Sequence, residues 1–299
     1  MSALKERKKV MELNQIKQFR VIAQTESISK AAELLYIAQP SLSQTLKRLE
    51  TELGTPLFER RGRRIVLNGA GKIFLKYCDD ILSSLNSAEK EISEYIGSEK
   101  SDIHILVEST SLMILEVAEK MRKQYPWSLP HFYQGFCDDR DLKICSDICP
   151  DCGSPSKVVI EEPIGILMPK EHPLASQKTI NKKDLEACDF LSLSQSDGLT
   201  KIISHFCSKA DFNPNITMYV DSPLAMQELL KRNFGVAFAP QYTWYSYYNT
   251  TLVFKPVENM PMRQFVHLVL NDKKYITKQI QCCYDAIAKF YTEYAQKFC

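Results

Sequence analysis

The chain has 299 residues, 44% hydrophobic and 25% charged, an ordinary globular mixture with room for two or three domains. It has no run of ~18 apolar residues, so no membrane span is expected. The start, MSALKERKKVMELNQ, is basic but lacks the apolar core and cleavage site of a signal peptide, which makes the cytoplasm the expected location. In a reducing compartment the ten cysteines are expected as thiols, mostly buried, rather than as a disulfide framework. The formal charge of +2 is unevenly placed: residues 1–67 hold thirteen Lys or Arg against seven Glu and no Asp, and the rest is net acidic. A basic head on an acidic body points to a polyanion as the partner of the head.

In chain order, Leu13, Ile16, Phe19 and Ala23 make the apolar stripe of a first helix. TESIS ends it, and Ser29 is the expected N-cap of a short second helix, KAAELLY, whose Ala31 and Ala32 allow another helix to cross closely. IAQPS breaks the chain, and Pro40 suits the first turn of a third helix. Leu42, Leu46, Leu49 and Leu53 then recur at spacings of 4, 3 and 4 on one side of that helix. Away from this arc lie Ser43, Gln44, Lys47 and Arg48, with Gln39 and Ser41 at the helix start. Gln can bond adenine in the major groove, and Arg and Lys can bond guanine or phosphate. Two helices joined by a short turn, the second carrying this polar face, make a helix-turn-helix. Gly54 supplies its stop. PLF and IVL flank ERRGRR, a hairpin with Arg60, Arg61, Arg63 and Arg64 at its tip, suited to phosphates or the minor groove.

In this order the pieces resemble the winged helix-turn-helix of the LysR-type transcriptional regulators. S-x-x-A-A, Q-P-S-L-S, L-E-x-x-L-G and L-F-x-R are present over residues 13–77, with Asn68 where the family commonly has Thr. The resemblance makes Met11 the counterpart of the usual start, leaves residues 1–10 as a basic extension, and implies DNA contacts at Ser29, Gln39, Ser41, Ser43, Gln44, Lys47, Arg48 and the wing arginines. The winged domain is expected over 11–67 and a linker helix over 68–97. On that helix Phe74, Cys78, Ile81, Leu85, Ala88, Ile92 and Tyr95 alternate at spacings of 4 and 3, a heptad seam for dimerisation. A two-fold dimer would set two heads on a pseudo-palindromic double-stranded site. The family resemblance extends this to an antiparallel linker pair and a homodimer or homotetramer.

Residues 101–299 alternate short β-rich runs (IHILV, IGILM, DFLSL, ITMYV, GVAFA, FVHLVL) with helical ones, which predicts an α/β domain with largely parallel sheets and a closing helix from Tyr275 to Phe298. It resembles the family's two-lobed, periplasmic-binding-protein-like effector domain, with lobe I at 101–168 and 264–299 and lobe II at 169–263. Ligands in such folds sit beyond the strand C-termini. Ser109, Thr110 and Ser111, then Ser194, Gln195 and Ser196, and finally Pro240 beside Gln241 occupy such places. Together they suggest a small-molecule effector, polar or anionic, although the Ser and Thr could equally be helix caps. Between HFYQGF and DLKI the family fits a helix, yet only CDDR intervenes here.

In the same region stand Cys137, Cys145, Cys149 and Cys152. C-P-D-C is the spacing of a zinc half-site and also of a redox pair, but no second C-x-x-C accompanies it, so incidental thiols, zinc and thiol sensing all stand as readings. The five histidines do not cluster near these cysteines, and His104 and His267 read as ordinary strand residues. A Ser–His–Asp order, a phosphate loop and H-E-x-x-H are missing, so no enzyme is expected. A solute-binding protein built from residues 101–299 alone is disfavoured by the basic head.

Overall fold

The computed structural model describes residues 11–61, 64–97, 101–135, 137, 139–151, 155–194, 198–245 and 251–298. The chain divides into two units, residues 1–92 with 273–275, and residues 93–272 with 276–299.

The first unit begins with α1 (Leu13–Thr25), α2 (Ile28–Leu34) and α3 (Gln39–Leu53). Its core gathers Ile16, Phe19, Ile22, Ala31, Ala32, Leu42 and Leu49, and the fully buried Ala31 lets the helices cross closely. The cap of α2 is Ser27 rather than Ser29: the Lys30 N–H donates to Ser27 Oγ at 3.3 Å. Ser27 is the residue still in extended backbone, as an N-cap must be. Gly54 ends α3 with φ 71°, a left-handed conformation natural to glycine.

β1 (Phe58–Arg61) and β2 (Arg64–Leu67) form an antiparallel hairpin in which Phe58 faces Leu67 and Arg61 faces Arg64. Asn68 then opens α4 (Gly69–Tyr95) by accepting the Gly71 N–H at 2.8 Å and donating to the Pro56 carbonyl at 2.9 Å. It thus supplies the capping oxygen at the start of α4. Gly71 has no alternative, because a Cβ there would lie 2.1 Å from the Leu57 carbonyl oxygen. The start of α4 is fastened to α1 by the Arg20–Asp79 ion pair at 2.5 Å and by Phe19 against Phe74, with centroids 4.9 Å apart.

The second unit contains β3 (Ser101–Val107), α5 (Ile114–Gln124), β4 (Ser128–Tyr133), β5 (Leu142–Asp147), β6 (Ser156–Pro169), α6 (Lys182–Glu186) and β7 (Asp189–Leu193). It continues with α7 (Gly198–Lys209), β8 (Asn215–Val220), α8 (Pro223–Lys231), β9 (Ala237–Pro240), β10 (Leu252–Lys255), β11 (Met262–Leu270) and α9 (Lys278–Ala295). One sheet runs in the order β10-β6-β11-β5-β3-β4, with β9 also on β6, while β7 and β8 pair separately.

The sheets are mixed rather than largely parallel. β3 is parallel to β4 and β5, and β7 to β8, but β6 and β11 are antiparallel to each other and to their further neighbours. The cause is that β6 and β11 are the two crossings between lobes and run in opposite directions. The closing helix starts at Lys278, capped by Thr277, not at Tyr275. It buries Ile280, Ile287, Tyr291 and Tyr294, with Ile276 packed alongside.

Two apolar cores result. One joins Ile103, Ile105, Val107, Leu142, Ile144, Val266 and α9; the other joins Ile166, Phe190, Leu230, Phe238 and Trp244, and Leu112 reaches into it.

Among the described residues no helix links β4 to β5. A parallel crossover ordinarily takes a dozen or more residues, but β5 is displaced along β3. Leu142 faces Ile105, while β4 has ended with Tyr133 opposite Leu106. The connection therefore returns less than a strand length. The sheet face beside it carries His104 stacked on His131 at 5.0 Å, with Tyr133 Oη 2.9 Å from His104 Nδ1 and His131 Nε2 3.0 Å from Asp102 Oδ1.

Candidate nucleic-acid interface and ligand crevice

The face of α3 opposite its leucines is uncovered. Gln39, Ser41, Ser43, Gln44, Lys47 and Arg48 are all exposed, as are Ser29 on α2 and Arg60 on β1. Gln44 and Lys47 point most directly away from the core, with Ser41 and Arg48 on the flank. Ser29 Oγ donates to Gln39 Oε1 at 3.2 Å, which presets the side chain at the start of α3. Arg48 lies against acids, 3.4 Å from Glu12 and 3.9 Å from Glu52. Such exposed pairs are worth ~0–1 kcal/mol each and yield readily to a phosphate. Arg61 and Arg64 close the hairpin beyond Arg60, and Arg63 lies outside the described residues. A residue absent from the sequence reading is Tyr36, 96% exposed in the turn between α2 and α3 with φ 53°. Its bulk at a left-handed position is a signal visible only once the backbone is known.

On α4 the residues expected to form a seam are only partly exposed. Phe74 and Cys78 turn into the head's own core, Cys78 being fully buried beside Leu82. Burial pushes the Cys78 thiol up to about 12, with Asp79 adding to the effect. The exposed apolar stripe is instead Ile73, Tyr77, Ile81, Ala88, Ile92 and Tyr95, with Leu85 half-buried at its margin. Four residues of the expected seam (Ile81, Ala88, Ile92 and Tyr95) therefore belong to it and two do not.

In the second unit a cavity of about 110 Å³ opens between the lobes. Ser109, Thr110, Ser111 and Pro240 line it. Ser194 is not among its lining, and Gln195 and Ser196 lie outside the described residues. Sequence reasoning missed Thr243, Trp244 and Gln264 in its wall, because their approach depends on the return crossing. Thr110 has φ 57° and ψ 28°, a strained conformation for a β-branched residue. It is held there by Tyr291, whose hydroxyl lies 2.8 Å from Thr110 Oγ1.

Glu162, fully buried in β6, accepts from the N–H groups of Tyr242 and Thr243 at 2.7 and 2.9 Å, from the Thr243 hydroxyl at 2.9 Å and from Gln264 Nε2 at 2.7 Å. Burial raises its carboxyl above the ordinary value, and these four donors pull it back. The charged groups among the described lining residues are Glu108 and Asp221, both acidic and so of the same sign as an anionic ligand.

The cysteine cluster does gain a histidine. His267 on β11 faces Cys145 on β5, is fully buried, and places Nε2 2.9 Å from the Cys149 carbonyl oxygen. Cys149 is exposed, Cys137 and Cys145 half-buried, and Cys152 outside the described residues. Among the described residues no group of three or more His, Cys, Asp or Glu is arranged to hold a metal ion. No helix among them is long and apolar enough to cross a membrane.

A winged head on a helical linker, followed by two lobes about a crevice, defines a DNA-binding regulator with a ligand-responsive domain. Comparison with known proteins agrees. The bacterial regulatory helix-turn-helix protein family of lysR type matches residues 13–72, and the LysR substrate binding domain family matches 137–291. The chain belongs to the LysR family. It is a DNA-binding transcriptional regulator with an effector-binding domain, not an enzyme.

Among similar proteins, the transcriptional dual regulator GltC of Bacillus subtilis is 26% identical, covering 96% of this chain and 99% of that one. The activator of the Hca operon, HcaR of Escherichia coli, is 28% identical over 84% of this chain and 89% of its own. Full-length OxyR from Pseudomonas aeruginosa shares the fold with TM-score 0.62 at 18% identity, covering 93% of this chain and 95% of that one. Full-length BenM does so with TM-score 0.53 at 22% identity, over 95% and 97%.

Proposed function

We propose that α3 enters the major groove with Ser41, Ser43, Gln44, Lys47 and Arg48 at the bases or nearby phosphates, while Ser29 and Gln39 set its entry. Arg60, Arg61, Arg63 and Arg64 serve the wing, mostly by charge. The observation that carries this reading is the uncovered polar face of α3, with its hydrogen-bonding side chains all exposed beside a basic hairpin. In the same reading the winged domain is 11–67 and the linker 68–97, and the stripe Ile73, Tyr77, Ile81, Ala88, Ile92 and Tyr95 pairs two chains on a pseudo-palindromic site. Higher assembly to a tetramer follows the family. The protein works in the cytoplasm, where its DNA is. Lobes 101–168 with 264–299 and 169–263 close on a small effector held at Ser109, Thr110, Ser111 and Pro240.

For an effector to regulate, it must bind one lobe arrangement better than another, and that difference is all it can pass to the head. The test is binding of the purified full chain to its own upstream DNA across a salt series. Affinity should fall linearly on logarithmic axes as phosphate contacts release counter-ions. Binding no tighter to that DNA than to unrelated sequence would overturn the reading.

A further inference from the structure

The crevice proposed above has a charge pattern that specifies its ligand. β3 and β8 each end at an acid: Glu108 follows Val107 in one lobe and Asp221 follows Val220 in the other, and both line the same cavity. No Lys, Arg or His is among the described lining residues, and residues 195–197, outside the description, read Gln-Ser-Asp in the sequence. Glu108 has a neutralising partner, Lys143, whose Nζ is 2.8 Å away. Asp221 is exposed and makes no ion pair or hydrogen bond with any described residue. The rest of the described wall is neutral and includes Ser109, Ser111, Gln134 and Trp244. Ser109 Oγ is buried and has no hydrogen-bond partner among the described residues, so a polar ligand group could satisfy it.

Resting on the reading of this crevice as the effector site, we propose that the effector carries a positively charged nitrogen, an amine or guanidinium, with Asp221 as its counter-ion and the hydroxyl turn at 109–111 receiving its neutral or polar end. An anion would instead face an uncompensated carboxylate at a shrinking distance as the lobes closed, which costs free energy in a site losing water. A cation reverses the sign. It draws in the lip that carries Asp221 and is best held when the lobes are closed, which is the differential affinity a regulatory ligand needs.

The experiment uses the full-length protein and measures thermal shift and calorimetric titration with putrescine, agmatine and L-lysine. Succinate and citrate are the charge-reversed controls. At least one cationic probe should bind saturably. Asp221→Asn should weaken it ten-fold or more and Asp221→Glu should retain most of it. The ligand-free melting temperature should hardly move, since Asp221 is exposed and makes no contact to lose. Ser111→Trp and Pro223→Trp, which fill the cavity from opposite lobes, should abolish binding.

If the dicarboxylates bind and lose binding in the filled variants, the crevice stands as the effector site and the cationic class is overturned. If no cationic probe binds, the cationic class is likewise overturned. If a cationic probe binds equally well to the filled variants, the crevice itself is not the effector site.

Discussion

The hydroxyl of Tyr291, on the closing helix, lies 2.8 Å from Oγ1 of Thr110, and both residues are buried. Thr110 sits at the crevice with a left-handed backbone that a β-branched residue resists. The bond therefore ties the shape of the 109–111 turn to a helix 181 positions along the chain. Tyr291→Phe removes one partner and leaves a buried hydroxyl unpaired, a loss of about 1–3 kcal/mol. Urea unfolding should register that loss. Effector binding should fall further than in a surface variant of equal stability, because the turn can then relax. Unchanged binding would separate the turn from the ligand.

Glu162 makes a second buried tie behind the crevice wall, to Thr243 and Gln264. All four of its hydrogen bonds come from donors, so the site is built for an acceptor on both carboxyl oxygens. Glu162→Gln turns an NH2 group against a donor and should cost about 1–3 kcal/mol. Burial has raised the carboxyl, so the stability this group contributes is present below the ordinary carboxyl range and is lost as pH rises through the raised value. The unfolding free energy of the Gln variant, followed from pH 4 to pH 8, should lack that decline. A variant whose decline matches that of the parent would show that the carboxyl does not titrate between the folded and unfolded states.

The head was almost wholly visible in the sequence because its determinants are local. Leu42, Leu46 and Leu49 mark a buried arc by spacing alone, and Pro40 and Gly54 punctuate α3. The linker seam was misplaced at Phe74 and Cys78 for two reasons. A straight helix drifts ~20° per heptad from a 3.5-residue repeat, and the head's own core, through Phe19, competes for the same first turns. The register of β11 on β5, which sets His267 opposite Cys145, joins segments more than a hundred residues apart, and nothing in either segment announces it. Ser109, Thr110 and Ser111 were found because they follow a recognisable strand. Thr243 and Gln264 were not, because only Glu162 brings them together.

The buried thiols predict an alkaline limit. Burial raises Cys78 and Cys283 from 9.0 to about 12 and Cys207 from 9.0 to about 11. A raised folded value means the contribution to stability is complete below pH 9 and is lost as pH rises through 11 to 12. The melting temperature should therefore fall steeply above pH 9, and Cys283→Ala should shallow that fall. At pH 8 a thiol reagent should reach the exposed Cys149 and Cys282 first and leave the buried Cys78, Cys188, Cys207 and Cys283 until unfolding. Rapid modification of Cys283 in the native state would contradict its burial.

Light scattering on two linker variants separates the exposed stripe from the buried side of α4. Ile81 is 47% exposed, so Ile81→Glu should leave the fold intact and convert the dimer to monomer, with loss of operator affinity. Phe74→Ala should instead lower stability, by less than the ~3–5 kcal/mol of a fully buried aromatic, and leave the association state alone until the head unfolds. The opposite pattern would restore the seam through Phe74.

On α3 the prediction divides specificity from affinity. Gln44 points away from the core with nothing to hold it, so Gln44→Ala should relax preference at one base pair by about 1–3 kcal/mol while non-specific binding stays put. Arg60 is exposed one rung from the turn of the hairpin, and Arg60→Ala should weaken binding to every sequence alike and reduce the salt slope by about one. Arg48 should fall between them. Its contacts with Glu12 and Glu52 must be surrendered to reach DNA, so Glu12→Gln should tighten binding slightly, and only when Arg48 is present. A double-mutant cycle on Glu12 and Arg48, read by operator affinity at one fixed salt concentration, measures that coupling directly. A coupling of zero would mean Arg48 never leaves its acids, and the polar face reads DNA with Gln44 and Lys47 alone.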